Sequence, residues 1–202
     1  MRFTTFLTAA SATTASALYL PRSSSSSQTP LVQDALYDGH CFYPRPTPNF
    51  NLTAYLGTWY QVAGTPFGPT AGARCVTAEY ALNPNGTVRV VNTAAVGPQE
   101  IRIEGTATPV DAAYARAGAF KVEFPSTPAG GCEGPNYIVQ EFCTDHALVQ
   151  TQNWTTLYVL SREREPAPAL VDVSLPPTAW IDRAVALGSD RARIGKFSQT
   201  GC

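Results

Sequence analysis

Five cysteines, Cys41, Cys75, Cys132, Cys143 and Cys202, carry the widest chemical repertoire in this 202-residue chain. A thiolate can attack an electrophile, ligate a soft metal or close a disulfide, and compartment and neighbours decide which. The only histidines are His40 and His146. With no Cys-x-x-Cys and no His-x-x-x-His spacing, both read as isolated, and no metal site is expected. The chain has no Gly-x-Ser-x-Gly elbow, phosphate-binding loop or dinucleotide fingerprint, so serine-type hydrolysis and nucleotide chemistry lack support and no cofactor is expected. Glu79, Glu104 and Glu123 each alternate with apolar neighbours. They read as a solvated face rather than an acid–base pair, and no catalytic residue is assigned.

The segments that must position these groups are turn-rich. Seventeen prolines and 15 glycines accompany a hydrophobic content of 44%, which indicates one domain of short elements around one core. Charged residues are 14% of the chain, with 14 basic against 15 acidic. That balance leaves no basic footprint for nucleic acid, which is excluded as a partner. Residues 3–20 carry no charge but are too rich in Ser and Thr to span a membrane, so no integral membrane span is expected. Arg2, the modest apolar stretch after it and Ala15-Ser16-Ala17 fit a secretory signal over residues 1–17. The Ser- and Pro-rich stretch 18–40 reads as a disordered arm, leaving 41–202 as the folded domain. Sequons at Asn51, Asn85 and Asn153 agree with export and glycosylation. In an exported chain five cysteines indicate disulfides plus one odd thiol, and spacing alone does not choose the pairs.

From Tyr55 to Arg162 the apolar pattern has period two. Ile101-Arg102-Ile103-Glu104 and Phe120-Lys121-Val122-Glu123-Phe124 alternate cleanly, and Val76-Thr77-Ala78-Glu79-Tyr80 and Val88-Arg89-Val90 do so over shorter spans. Asn83-Pro84-Asn85-Gly86 between two such runs is a strong hairpin signal. Further strands are expected at 59–63, 136–141, 147–151 and 156–162. Eight strands at this spacing suit an antiparallel meander closing into an up-and-down barrel or folding as a sandwich. One helix is expected, opening at Leu175-Pro176-Pro177-Thr178, presenting Trp180, Ile181, Ala184, Val185 and Leu187 on one face and ending at Gly188.

The motifs resemble those of the lipocalins, closest to the apolipoprotein D-like branch. Gly57-Thr58-Trp59-Tyr60 is similar to the family's Gly-x-Trp signature, and Leu160-Ser161-Arg162 to its third motif. The likeness runs through Asn51-Leu52-Thr53-Ala54-Tyr55-Leu56, Gly72-Ala73-Arg74-Cys75, Ile103-Glu104-Gly105-Thr106-Ala107-Thr108-Pro109-Val110, Ala147-Leu148-Val149 and Leu175-Pro176-Pro177-Thr178. It covers residues 41–202. The family's middle motif falls on either Gln140-Glu141-Phe142 or Thr144-Asp145-His146. The resemblance implies an all-β, eight-stranded antiparallel barrel with one C-terminal helix packed outside. It also implies that Arg162 packs over the Trp59 indole at the closed end, with Gly57 completing the motif, a cation–π contact of about 0.5–2 kcal/mol.

For the cysteines, the resemblance implies a bridge from Cys75 to Cys202 and another from Cys41, whose usual partner position holds Gln152. Cys132 lies near that vacated place and is favoured over Cys143 as the partner of Cys41, leaving Cys143 as the odd thiol. One enzymatic branch of the family, the prostaglandin isomerases, uses a thiolate on the second strand, where Cys75 stands. Parity turns Cys75 outward and a bridge would occupy its sulfur, so the expectation is a protein that is not an enzyme.

With Trp59 and Arg162 fixed at the closed end, parity selects the inward set: Val76, Tyr80, Val88, Val90, Ile101, Ile103, Phe120, Val122, Phe124, Tyr137, Val139, Tyr158 and Leu160. Lys and Arg are absent from it, so a neutral or weakly polar lipophile of the sterol, fatty acid, retinoid, haem or bilin class is expected, oriented by tyrosine hydroxyls. Loops 64–72 and 125–132 would form the rim, with Phe67 either capping the entrance or anchoring its loop. The expected function is a secreted, monomeric carrier of a small hydrophobic molecule. The rival readings are a filled-barrel interaction module and a thiol-dependent lipid isomerase.

Overall fold

The computed structural model describes residues 34–66, 72–115, 117–125, 130–171 and 179–202. The expected signal segment, most of the arm, Phe67 and the prolines expected to open the helix lie outside the described residues. The elements in chain order are β1 (Ala35–Tyr37), β2 (Phe42–Pro44), α1 (Leu52–Tyr55), β3 (Gly57–Gly64), β4 (Arg74–Leu82), β5 (Val88–Val96), β6 (Gln99–Pro109), β7 (Ala119–Glu123), β8 (Tyr137–Phe142), β9 (His146–Gln150), β10 (Leu157–Ser161), α2 (Pro168–Val171), α3 (Ala179–Ala186) and β11 (Gly195–Lys196).

Strands β3 to β10 pair antiparallel, each with its neighbour in sequence, and β10 returns to β3 with Tyr158 opposite Gly64 and Ser161 opposite Tyr60. The barrel of eight strands is therefore closed, with every strand paired on both sides over at least part of its length. The β4–β5 hairpin turns at the Asn-Gly pair, where the Asn83 amide donates to the Thr87 carbonyl at 2.8 Å and the Gly86 amide to the Asn83 carbonyl at 3.0 Å. Strand β5 runs to Val96, beyond the expected end at Val90, because Asn92, Thr93, Ala94 and Ala95 pair fully with β6 while lacking the large apolar residues that mark a strand in sequence.

One seam of the barrel is closed by the C-terminal tail. Residues 57–60 of β3 pair with 77–80 of β4, and beyond them the strands take other partners. Gly195 and Lys196 of β11 pair with Gly64 and Ala63. The Phe197 amide donates to the Val62 carbonyl at 3.0 Å and the Cys75 amide to the Ser198 carbonyl at 2.8 Å. The Gln199 Nε2 group donates to the carbonyls of Gln61 and Val76, at 2.9 Å each. The Cys75–Cys202 disulfide, with Cα atoms 5.5 Å apart, pins the tail there.

Helix α3 packs outside the barrel through Trp180, Ile181 and Ala184, against Val62, Ala63, Leu148, Leu157 and Val159. Full burial of a side chain such as Ile181 contributes about 1.5–3 kcal/mol. The arm, expected to be disordered through residue 40, is ordered at its end. Strand β1 pairs with β2, Tyr37 stacks on Phe42 with centroids 4.4 Å apart, and the Cys41–Cys132 disulfide ties the hairpin to the domain. Strands of three residues, or two in β11, are too short to carry a periodic signal, so β1, β2 and β11 escape sequence reading.

A tyrosine-lined barrel interior as candidate ligand site

The closed end of the barrel is built around Trp59, which is fully buried. Gly57 enters β3 with φ of +92°, a left-handed conformation costly for other residues. The Arg162 guanidinium lies 3.8 Å from the indole centroid. It also donates to the carbonyls of Ala54, Tyr55, Leu56 and Thr58 at 2.7–3.1 Å. The Trp59 Nε1–H donates to the Tyr55 carbonyl at 2.8 Å. The indole N–H and both terminal nitrogens of the guanidinium are thus engaged, so Arg162 is committed to the floor rather than to a ligand.

Four tyrosines from four elements converge above the floor. Tyr137 of β8 shares hydrogen bonds with Tyr55 of α1 at 2.5 Å and Tyr80 of β4 at 2.8 Å. Tyr158 of β10 stacks on Tyr137, with centroids 6.4 Å apart and planes 25° from parallel. Burial raises the hydroxyl pKa of Tyr55, Tyr80 and Tyr137 well above the usual tyrosine value and that of Tyr158 to about 12, so all four are neutral donors at physiological pH. Among the described residues the Tyr158 hydroxyl makes no hydrogen bond. Three hydroxyls are committed to one another, and one is available.

Of the expected inward residues, Tyr80, Val88, Val90, Phe120, Val139 and Leu160 are buried in the barrel core, with Val122, Phe124, Tyr137 and Tyr158 packed against it. Phe124 crosses directly over Gly105, where a Cβ would stand 2.5 Å from its ring. Val76 is buried elsewhere, at the tail seam with Ala73 and Phe197. Ile101 and Ile103 require a correction. They share a face with Ala94 and Asn92, hence the inward side, yet remain 40% and 37% exposed. The cause is that β7 pairs only with residues 106–109 of β6, so the first half of β6 stands beyond the enclosed wall.

Sequence parity missed several interior groups. Tyr55 sits on a short helix where no period applies, Phe50 packs from a loop, and Phe142 ends β8 beyond a register shift between Val139 and Glu141. Two buried polar atoms on inward-facing positions, Gln61 Nε2 and Asn92 Oδ1, have no hydrogen-bond partner among the described residues. Gln61 stands opposite Leu160, and Asn92 opposite Ala78.

The expected outer carboxylates are outside. Glu104 makes a bidentate pair with Arg89, at 2.6 and 2.7 Å, and this pair borders a surface cleft of about 490 Å³ with Asn83, Glu123 and Pro125. The three sequon asparagines are exposed. Asn51 caps α1 by accepting from the Ala54 amide, and Asn153 accepts from the Phe42 amide. The disulfides join Cys41 to Cys132 and Cys75 to Cys202, and Cys143 is free and exposed. His146, expected to stand alone, instead lies among Glu141, Cys143, Asp145 and Trp180. No described helix is long and apolar enough to cross a membrane.

A model of the lipocalin-like domain matches residues 50–172, more than half of the chain. The chain belongs to the lipocalin family. Temperature-induced lipocalin-1 of Arabidopsis thaliana is 31% identical over 162 residues, covering 74% of this chain and 80% of that protein. The bilin-binding protein of Pieris brassicae is 39% identical over 75 residues, which is 37% of this chain. This lipocalin spans 39% of the length of that relative and 37% of the apolipoprotein D of Cavia porcellus that it also matches. The solved insecticyanin of Manduca sexta shares the fold, with a TM-score of 0.59 at 18% identity over 80% of this chain and 87% of that chain.

Proposed function

We propose that this lipocalin is a secreted, monomeric carrier that holds a small neutral lipophile in the open half of its barrel, above the tyrosine floor. The observation that carries this reading is the unequal use of one continuous apolar face. Trp59, Tyr55, Phe142 and the bonded tyrosines fill the closed half, whereas Ile101 and Ile103 extend the inward side into solvent. Exposed apolar surface on the inward side gains from a ligand that covers it. Tyr158 supplies the first uncommitted hydroxyl, and Gln61 Nε2 and Asn92 Oδ1 add a donor and an acceptor. A sterol or retinoid suits this uncharged setting directly, and a fatty acid, haem or bilin suits it with its carboxylates left in solvent at the mouth; the name of the Pieris relative supports the bilin class. Covering 200–300 Å² of ligand at about 25 cal/mol/Å² yields roughly 5–8 kcal/mol before association costs, which makes micromolar the tight limit of the expected affinity and excludes nanomolar binding by burial alone.

Export and glycosylation are part of the proposal. Two disulfides suit an oxidising compartment, and the sequon asparagines are exposed. The isomerase alternative is disfavoured because the Cys75 sulfur is bonded to Cys202 and the free thiol of Cys143 lies outside the barrel. The filled-barrel alternative draws on the packed tyrosine floor. Native mass spectrometry of protein secreted from a eukaryotic host separates the two. A non-covalent adduct of a few hundred daltons, released on unfolding, is the expected result. An apo mass together with no displaceable hydrophobic fluorophore would overturn the carrier reading in favour of the interaction module.

A further inference from the structure

The β8–β9 hairpin gathers three chemically different donors outside the barrel. Glu141 ends β8, Cys143 lies in the turn and His146 opens β9, and one ligand atom from each lies within 4.8 Å of the others. His146 Nε2 and Glu141 Oε1 are 3.3 Å apart. Two ligands on a tetrahedral zinc ion, each at about 2.0–2.2 Å, stand about 3.3–3.5 Å from one another. These two atoms therefore already have the spacing of neighbours on one ion. The sulfur lies within 4.8 Å of both, and Cys143 is exposed on a turn.

The surroundings orient these groups as ligands. Asp145 Oδ1 lies 3.2 Å from His146 Nδ1 and Glu141 Oε1 3.3 Å from Nε2, so each ring nitrogen faces a carboxylate, and a cation bound at Nε2 would leave the ring proton on Nδ1 toward Asp145. A carboxylate on the far ring nitrogen is the usual support of a metal-bound histidine. Trp180 of α3 stacks on the imidazole, with centroids 4.5 Å apart and planes 17° from parallel, and fixes its plane. Arg183, also from α3, binds Glu141 Oε2 and leaves Oε1 facing His146.

We propose that Glu141, Cys143 and His146 form a site for a borderline-soft divalent cation, zinc by donor set, with a fourth position open to water. Binding transfers the Cys143 thiol proton to bulk water and forms the sulfur–metal bond. The ion would cross-link the two strands and the turn of the β8–β9 hairpin beside α3, independent of any ligand inside the barrel. The Cys-x-x-His spacing with Glu141 two residues earlier is visible in the sequence but is not a spacing normally searched for.

The test uses the full chain without reductant, so that both disulfides stay closed. Zinc titration by calorimetry is expected to give one site of micromolar affinity, and cobalt is expected to give a thiolate charge-transfer band. Cys143→Ser abolishes the band, His146→Gln weakens zinc binding about tenfold or more, and Asp145→Asn weakens it about 10–100-fold. His40→Gln, which removes the other histidine, leaves binding unchanged. Circular dichroism of each variant verifies the fold. Absence of zinc binding by the wild type, no cobalt–thiolate band, or affinity indifferent to Cys143→Ser and His146→Gln would overturn the proposal.

Discussion

The hydroxyl of Tyr137 lies 2.5 Å from that of Tyr55, so a tyrosine on a barrel strand is bound to one on the short helix beneath the barrel. Tyr80 joins the same hydroxyl from β4. Tyr137 thereby ties three parts of the interior together in a region where an unpaired hydroxyl is expensive. Replacing Tyr137 with Phe strips two hydroxyls of their partner, whereas Tyr55→Phe breaks one bond and leaves the Tyr80–Tyr137 bond intact. The expected losses are about 1–3 kcal/mol for Tyr137→Phe and about 0.5–1.5 kcal/mol for Tyr55→Phe. Urea unfolding of the two variants measures the difference, and equal losses would contradict the hub role of Tyr137.

The alkaline limit of stability has the same origin. The interior tyrosines have folded pKa values raised above 10 by burial, with Tyr158 at about 12. A raised folded pKa means that the neutral form is favoured in the folded state. Its contribution is fully present below pH 10 and is lost as the pH rises from there through about 12. Urea midpoints are expected to fall across that window while tyrosinate absorbance lags that of free tyrosine. A midpoint independent of pH between 10 and 12 would remove the buried tyrosines as the cause.

Ligand uptake at the mouth is testable without disturbing the core. Ile103 is on the inward side but 37% exposed, so Ile103→Lys leaves the packed interior intact while placing a cation beside the proposed lipophile. Hydrophobic-fluorophore affinity is expected to fall about tenfold, the equivalent of about 1.4 kcal/mol, with an unchanged urea midpoint. Tyr158→Phe is expected to weaken a hydroxyl- or carbonyl-bearing ligand and spare a pure hydrocarbon. Unaltered fluorophore affinity in Ile103→Lys would place binding away from this mouth.

What could be read in advance follows from how far each contact depends on local pattern. Val88, Val90 and Phe120 alternate with charged residues, so parity identified them as interior. The Trp59–Arg162 contact and the two disulfides join residues 91 to 127 positions apart for the bridges, and only the motif resemblance pointed to them. Tyr55 and Phe142 had no local signal, because one lies on a single helical turn and the other follows a register shift. Ile101 and Ile103 had the correct parity but the wrong environment, since the length of a neighbouring strand is invisible in their own sequence. The three donors around His146 lie within six residues of one hairpin, but their support by Trp180 and Arg183 depends on α3 folding back over that hairpin, a long-range event that local spacing does not reveal.

Arg162 serves the floor in a way that lysine cannot copy. Its planar guanidinium covers the Trp59 indole and donates to four carbonyls at once, and a lysine ammonium has three donors on a flexible stem. Arg162→Lys is expected to cost about 2 kcal/mol. Tryptophan fluorescence during urea unfolding reports it, and a loss below about 0.5 kcal/mol would show that charge alone suffices there.

The two disulfides close loops of similar length, with sequence separations of 91 and 127, so chain entropy alone separates their contributions by only about 0.3 kcal/mol. Their structural duties differ far more. Cys41–Cys132 holds the β1–β2 hairpin against the domain, whereas Cys75–Cys202 holds the tail that fills the seam between β3 and β4. The double variant Cys75→Ser/Cys202→Ser is therefore expected to open the seam locally before global unfolding, with faster amide hydrogen exchange at Phe197 and at position 75. Cys41→Ser/Cys132→Ser is expected to accelerate exchange around Tyr37 and Phe42 and leave the seam protected. Each pair should cost about 2–5 kcal/mol globally. Exchange that rises equally at both places in both variants would mean that the bridges act only through the unfolded chain, and the tail would then hold its place by β11 pairing and the Gln199 hydrogen bonds alone.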